Sequence, residues 1–149
     1  MNDAAIDPSW YGELRASPIV QDLADDVLST IARRGKTLEL KRADPLLVQD
    51  VRGGLGLFIL LFGTIAIYRR VDDDVDGERL SVLQPGDCVG EYSLIDGQPL
   101  SATARALEPV RLFFLPNAQF RALTEQDPRA GCILYRNLAR HLVRRLRLQ

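Results

Sequence analysis

Short runs of alternating apolar and polar residues fill the middle of the chain and predict β-strands. Residues 37–41 and 64–70 alternate, and residues 57–62 form a continuous apolar run that is typical of a buried strand. Shorter runs continue this rhythm at residues 46–48, 79–83, 101–106 and 110–115. Turn residues separate the runs at roughly even spacing, which predicts an antiparallel sandwich or jelly roll.

Before the strand region, apolar residues recur with the spacing of a helix instead of alternating. In residues 25–34, the apolar residues Val27, Leu28 and Ile31 share one face, two acids open the segment and two arginines close it. Ser17 followed by Pro18 also predicts a helix start, with the serine as N-cap. Residues 1–16 show no clear period, and we predict a flexible N-terminal arm there.

Two more helices are predicted after the last strand, at residues 118–125 and at about residues 128–148. In the second of these, leucines recur every fourth residue on one stripe, at Leu134, Leu138, Leu142 and Leu146. Together the segments predict an α+β fold, an antiparallel and jelly-roll-like β-roll of about eight strands with helices at the N- and C-termini. Residues 17–149 are predicted to form this single domain.

Composition narrows the class of protein. Apolar residues make up 46% and charged residues 26% of the 149 residues, which is ordinary for a soluble domain. The longest uncharged run, residues 53–68, is shorter than a bilayer span, and the polar, acidic N-terminus does not resemble a signal peptide. We therefore expect a cytoplasmic protein with no membrane span.

Charge is spread unevenly along the chain. The net charge is −1, yet the last predicted helix carries Arg129, Arg136, Arg140, Arg144, Arg145 and Arg147 without an acid. On a helix with a leucine stripe, such a run is more often a solvated face or a partner surface than a nucleic-acid footprint.

Catalytic and metal signals are weak in the sequence. No nucleophile–base pair, metal cluster or Walker-type loop is visible, so we predict no catalytic residues, no cofactor, no metal site and no enzyme activity. His141, on the arginine-rich side of the last helix, is predicted to be a surface residue. Cys88 and Cys132 lack metal-type spacing and are predicted to be small core or semi-buried residues.

Residues 83–106 carry the most specific pattern. It reads PGDxxGE at residues 85–91, followed by SATxxA at residues 101–106. A helix, a run of short strands, this motif, two closing strands and a long amphipathic helix together resemble the cyclic nucleotide-binding domain. The family includes the ligand modules of the catabolite activator protein, protein kinase A regulatory subunits and cyclic-nucleotide-gated channels. The resemblance covers roughly residues 18–148.

The resemblance implies a site for cAMP or another cyclic nucleotide. Glu91 matches the glutamate that accepts the ribose 2′-hydroxyl, and Gly90 allows a close approach of the backbone. Ser101 matches the hydroxyl that donates to the phosphate, and Ala102 leaves room along the strand. By this resemblance, the ligand-binding residues are Gly90, Glu91, Tyr92, Leu100, Ser101 and Ala102.

Leu100 departs from the family pattern. The family has arginine immediately before the serine or threonine, and its guanidinium forms charge-assisted hydrogen bonds of about 1.5–3 kcal/mol each with the phosphate. Loss of two such bonds costs roughly 3 kcal/mol or more, so we expect the affinity for the phosphate to fall by about 100-fold or more. A helix arginine that reaches over the pocket could replace it, and Arg136, Arg140 and Arg144 are the candidates.

These observations leave three functional hypotheses. The first is a non-enzymatic signalling module with weak or altered ligand binding that acts through protein–protein contacts of its helices. The second is a genuine cyclic nucleotide receptor, most simply for cAMP. The third is a dimerisation or scaffold subunit that pairs through the C-terminal helix. In the activator family this helix leads to a DNA-binding helix-turn-helix, whereas this sequence stops at Gln149, so direct DNA binding is not expected.

Overall fold

The computed structural model describes residues 8–47, 56–69, 77–98 and 102–148. The helices are α1 (Pro8–Arg15), a short 3-10 helix (Pro18–Val20), α2 (Asp25–Arg34), α3 (Glu91–Asp96), α4 (Asn117–Gln126) and α5 (Pro128–Arg147). The strands are β1 (Lys36–Leu40), β2 (Pro45–Leu47), β3 (Gly56–Phe62), β4 (Ile65–Arg69), β5 (Glu78–Leu83), β6 (Cys88–Val89), β7 (Thr103–Ala106) and β8 (Val110–Pro116).

The strands form two antiparallel sheets of four strands each. One sheet has the order β1-β8-β3-β6 and the other has the order β2-β7-β4-β5. The order is non-sequential because neighbours along the chain often belong to opposite sheets. Two sheets with helices at both ends are the predicted β-roll, so the fold class is confirmed.

The continuous apolar run of β3 follows from burial on both faces. Leu57 and Ile59 pack with the helices in one hydrophobic cluster. Phe58 and Leu60 point the other way and join a second cluster, which lies between the sheets. Because successive side chains alternate across a strand, only a strand covered on both sides needs apolar residues at every position.

Local capping chemistry sets the starts of two helices as predicted. The Ser17 hydroxyl accepts a hydrogen bond from the backbone N–H of Ile19 and caps the 3-10 helix. The Asp127 side chain accepts from the N–H of Ala130, and Pro128 occupies the first turn of α5. The helix over residues 25–34 is also confirmed, with the same limits.

The prediction of a flexible N-terminal arm is wrong for residues 8–15, because these residues form helix α1. Leu14 is fully buried in the core, and the ring of Trp10 stacks on Phe113 with centroids 5.7 Å apart. The apolar residues Trp10, Tyr11 and Leu14 share one helical face, but a pattern of only two turns is too short to predict a helix by itself. Residues 1–7 of the predicted arm lie outside the described residues.

Polar contacts hold the first half of α5 against the N-terminal region. Asn137 is buried, and its amide donates to the carbonyls of Ile19 and Gln21 at 3.0 and 2.9 Å. Arg136 pairs with Asp22 at 2.7 Å. Because buried carbonyls need donors, these bonds fix both the height and the rotation of α5.

Among the described residues, no helix is both long enough and apolar enough to cross a membrane.

Truncation of Leu14 tests whether α1 belongs to the folded domain. Leu14→Ala is expected to lower the free energy of unfolding by about 2–5 kcal/mol, because it removes a fully buried side chain. Glu13→Ala, at an exposed neighbouring position of α1, is the control and should change it by less than about 0.5 kcal/mol. Urea unfolding gives both values. Equal, small effects would mean that residues 8–15 do not pack on the core.

Candidate ligand site between the sheets and the last helix

Gly90 connects β6 to α3 in a conformation that favours glycine. Its φ is +91°, in the left-handed region. A Cβ atom at this position would lie 2.5 Å from the carbonyl oxygen of Gly56, closer than any real contact. The glycine therefore allows β6 to stay paired with β3 while the chain turns at once into α3.

Glu91, the first residue of α3, is a buried carboxylate with a cationic partner. Its side chain is 2% exposed, and its Oε1 accepts a hydrogen bond from Nη1 of Arg145 at 3.0 Å. The other terminal nitrogen of Arg145 lies 3.4 Å from the hydroxyl oxygen of Ser81. One arginine from α5 thus bridges the start of α3 and strand β5.

His141 lies beside the same carboxylate, so its predicted surface position is wrong. It is 3% exposed, and its Nε2 lies 3.6 Å from Oε1 of Glu91. The reason lies in the helical period. Residues four apart advance by about 400°, so a strict four-residue stripe drifts by about 40° per step around the helix.

The stripe that α5 turns inward therefore differs from the predicted leucine stripe. Its members are spaced by four, three and four residues, which keeps them on one face. They are Leu134, Leu138, His141 and Arg145. Leu134 and Leu138 are buried, whereas Leu146, at the end of the predicted stripe, is 67% exposed.

The two cysteines have different environments. Cys88 on β6 is fully buried, as predicted. Burial raises the pKa of its thiol well above the usual value, and the Glu91 carboxylate raises it further. Cys132 is exposed on α5, so the prediction of a semi-buried residue is wrong there.

Four of the six residues assigned by resemblance line one cavity between β4, β7 and α3. They are Gly90, Glu91, Tyr92 and Ala102. The other two, Leu100 and Ser101, lie outside the described residues. Arg145 lines the same cavity, and no sequence signal pointed to it because the predicted stripe placed it on the solvated side.

The three predicted helix arginines occupy different places. Arg144 lines a groove next to the cavity, together with Tyr92 and Ala102. Arg136 is bound to Asp22 at the other end of the helix. Arg140 lines a separate groove with Pro18. Only Arg144 among the three thus lies beside the residues of the predicted site.

A family model and a sequence relative both point to the same protein family. The model of the cyclic nucleotide-binding domain matches residues 37–127, more than half of the chain. The cyclic AMP receptor protein of Thermus thermophilus is 29% identical over 138 residues, which cover 90% of this chain and 59% of that protein.

Solved structures share the fold. A cyclic nucleotide-binding domain from Methylobacillus flagellatus has a TM-score of 0.83 at 21% identity, and the match covers 93% of this chain and 79% of that chain. The regulatory subunit of a cAMP-independent protein kinase A from Trypanosoma brucei has a TM-score of 0.73 at 18% identity. That match covers 95% of this chain and 45% of the subunit's chain.

The match to whole proteins is partial. The chain spans 59% of the length of the Thermus receptor and 6% of the human patatin-like phospholipase domain-containing protein 6, with which it has 25% identity over 87 residues. On the matched residues, the chain belongs to the cyclic nucleotide-binding domain family.

Proposed function

We propose that this chain is a non-enzymatic signalling module with weak or altered ligand binding, which acts on a protein partner through α5. One observation carries the proposal. The carboxylate of Glu91, which by family resemblance accepts the ribose hydroxyl, is held by Arg145 of the protein itself at 3.0 Å. The group that would bind the sugar is thus already paired with a residue of the last helix.

The energetic consequence is a competition for one carboxylate. A sugar hydroxyl that reaches Glu91 replaces a hydrogen bond between two charged groups with one in which only the acceptor is charged. Both bonds are charge-assisted and fall in the range of about 1.5–3 kcal/mol. The hydroxyl bond therefore gains no more than the arginine bond it replaces, and the attraction between two opposite charges is lost. Leu100 adds to this disadvantage because its side chain offers no charge to a phosphate.

Displacement of Arg145 would also change α5. The bonds of Asn137 and Arg136 hold the first half of the helix, and Arg145 is the charged anchor of its second half. A ligand that binds only when Arg145 has left Glu91 shifts the helix between a docked and a released state. The shift is as large as the difference in affinity for the two states, and no larger.

The second half of α5 also offers a surface to a partner. Val143 is 47%, Leu146 is 67% and Leu148 is 87% exposed. Apolar side chains at the end of an arginine-rich helix favour an acidic partner with an apolar groove. Release of the helix would change how these side chains are presented, which links the ligand site to the partner surface.

The relatives leave ligand binding open. The Thermus protein is named a cyclic AMP receptor, whereas the Trypanosoma regulatory subunit is described as cAMP-independent, and both match this fold. A protein can therefore have this architecture with or without the cyclic nucleotide response. Whether a protein with this fold binds a cyclic nucleotide depends on the residues of its site and not on the fold.

A genuine cyclic nucleotide receptor is the second candidate, and the position of two arginines favours it. Arg144 and Arg145 both line the groove beside Tyr92 and Ala102. In this candidate one of them binds the phosphate in place of the arginine that Leu100 lacks. Arg145 then contributes to ligand binding and does not compete with it.

Substitution at Leu100 tests the first proposal. Wild-type protein is expected to bind cAMP and cGMP weakly or not at all in titration calorimetry, and Leu100→Arg should raise the affinity about 100-fold by adding two charge-assisted bonds. Leu100→Met, which adds no charge, is the control. Wild-type binding at about micromolar dissociation constants or tighter would contradict the proposal.

Removal of Arg145 separates the two candidates by the sign of the effect. If Arg145 competes for Glu91, Arg145→Ala tightens cAMP binding by about tenfold, as expected from the loss of one charge-assisted bond. If it binds the phosphate, the same variant weakens binding by a similar factor. Arg147→Ala is the control on the same helix, and thermal melting checks that each variant is folded. An unchanged affinity would count against both candidates.

Pairing through α5 tests the scaffold alternative. Leu134 and Leu138 face the protein's own core, so a homodimer through α5 would use its exposed apolar residues, of which Leu146 is one. In that alternative, light scattering gives a dimer for the wild type and a monomer for Leu146→Glu, because a buried charge without a partner opposes association. Phe62→Glu, at another exposed apolar residue, is the control. A monomeric wild type would contradict the alternative.

A further inference from the structure

Three side chains of different chemistry meet beneath the ligand cavity. Cys88 comes from β6, Glu91 from α3 and His141 from α5, and the Cys88 sulfur, one Glu91 carboxylate oxygen and one His141 ring nitrogen all lie within 4.8 Å of one another. Their exposed fractions are 0%, 2% and 3%. The fold thus places a thiol, a carboxylate and an imidazole in one buried space, although Glu91 and His141 are 50 positions apart in the sequence.

This donor set matches the requirements of zinc. Zn²⁺ binds cysteine sulfur, histidine nitrogen and carboxylate oxygen, in many sites with three protein ligands and one further position. The distance of 3.6 Å between Nε2 of His141 and Oε1 of Glu91 is close to the edge of a tetrahedral site, about 3.3 Å for metal–ligand bonds of about 2.0–2.1 Å. The three donor atoms lie within 4.8 Å of one another, so the cluster must contract before all three reach bonding distance.

An unpaired atom points to the same conclusion independently. Nε2 of His141 is buried and has no hydrogen-bond partner within the described part of the chain. A buried polar nitrogen without a partner costs free energy, so such an atom calls for an explanation. This nitrogen lies 3.6 Å from Oε1 of Glu91, and both atoms belong to the cluster that would surround a cation.

We propose that Cys88, Glu91 and His141 form a site for a divalent metal ion of the zinc type. This site has Glu91 in common with the proposed nucleotide site but needs neither Leu100 nor Ser101. It would connect the sheet, α3 and α5 through one ion.

Binding of a metal ion requires one deprotonation and one movement of a side chain. Cys88 loses its thiol proton to solvent as the sulfur–metal bond forms, because the thiolate is the ligand. Arg145, at 3.0 Å from the same Glu91 oxygen, must move away from the ion. Its existing hydrogen bond to the Ser81 hydroxyl, at 3.4 Å from the other nitrogen, does not involve Glu91 and can remain. Metal and Arg145 therefore compete for Glu91.

Cobalt substitution tests the site in the complete protein. Co²⁺ added to the metal-free wild type is expected to bind at one equivalent, with the absorption of a four-coordinate ion and a thiolate-to-cobalt charge-transfer band, and Zn²⁺ should displace it. The ligand set predicts the thiolate band, whereas a surface site of histidine and carboxylates would lack it. Wild-type protein that binds no Co²⁺, or binds it without the thiolate band, would overturn the proposal.

Matched variants identify the ligands. Cys88→Ser and His141→Gln should each weaken Zn²⁺ binding at least about 100-fold, more than is usual for residues that only support a ligand. Cys132→Ser, which removes the exposed thiol, should leave it unchanged. Arg145→Ala should tighten it, because the competing cation is gone. Thermal melting with and without Zn²⁺ covers variants of low stability, since only a protein with the site gains stability from the ion. Loss of binding in Cys132→Ser and not in Cys88→Ser would refute the assignment.

Discussion

A buried carboxylate organises the region between the sheets and the last helix. Glu91 is almost completely shielded from water, and an ionised group in such a place needs a partner because burial without one costs several kcal/mol. Arg145 supplies the partner, and His141 lies on the same side. Both come from α5, so the second half of this helix is tied to the start of α3 by electrostatics more than by apolar packing.

The rotation of α5 decides which residues serve this purpose. A helix completes one turn in about 3.6 residues, so a row of leucines at every fourth position winds slowly around it. Leu134 and Leu138 lie on the inward face, and further along the helix that face passes to His141 and Arg145. Leu146 has turned outward by then. The bonds from Asn137 to Ile19 and Gln21 fix this rotation.

The Glu91 carboxylate can therefore have three alternative partners, which compete for it. It can hold Arg145, it can accept a sugar hydroxyl, or it can bind a metal together with Cys88 and His141. Each use requires a different position of the arginine, and the arginine moves with α5. A change of occupant at Glu91 is thus a change in the anchoring of a helix whose last turn exposes apolar side chains. This shared group gives the fold a physical route from site to surface.

Local chemistry was enough to predict the β-roll and the starts of two helices, since alternation, turn residues and the caps at Ser17 and Asp127 each act within a few residues. The sequence by itself also determined that Leu100 brings no charge to a phosphate, because that is a property of the side chain. Only the tertiary structure decided the packing of α1, the burial of His141 and the pairing of Arg145 with Glu91. Each of these depends on the rotation and placement of a helix against distant strands, which contacts far apart in sequence set and which no local pattern encodes.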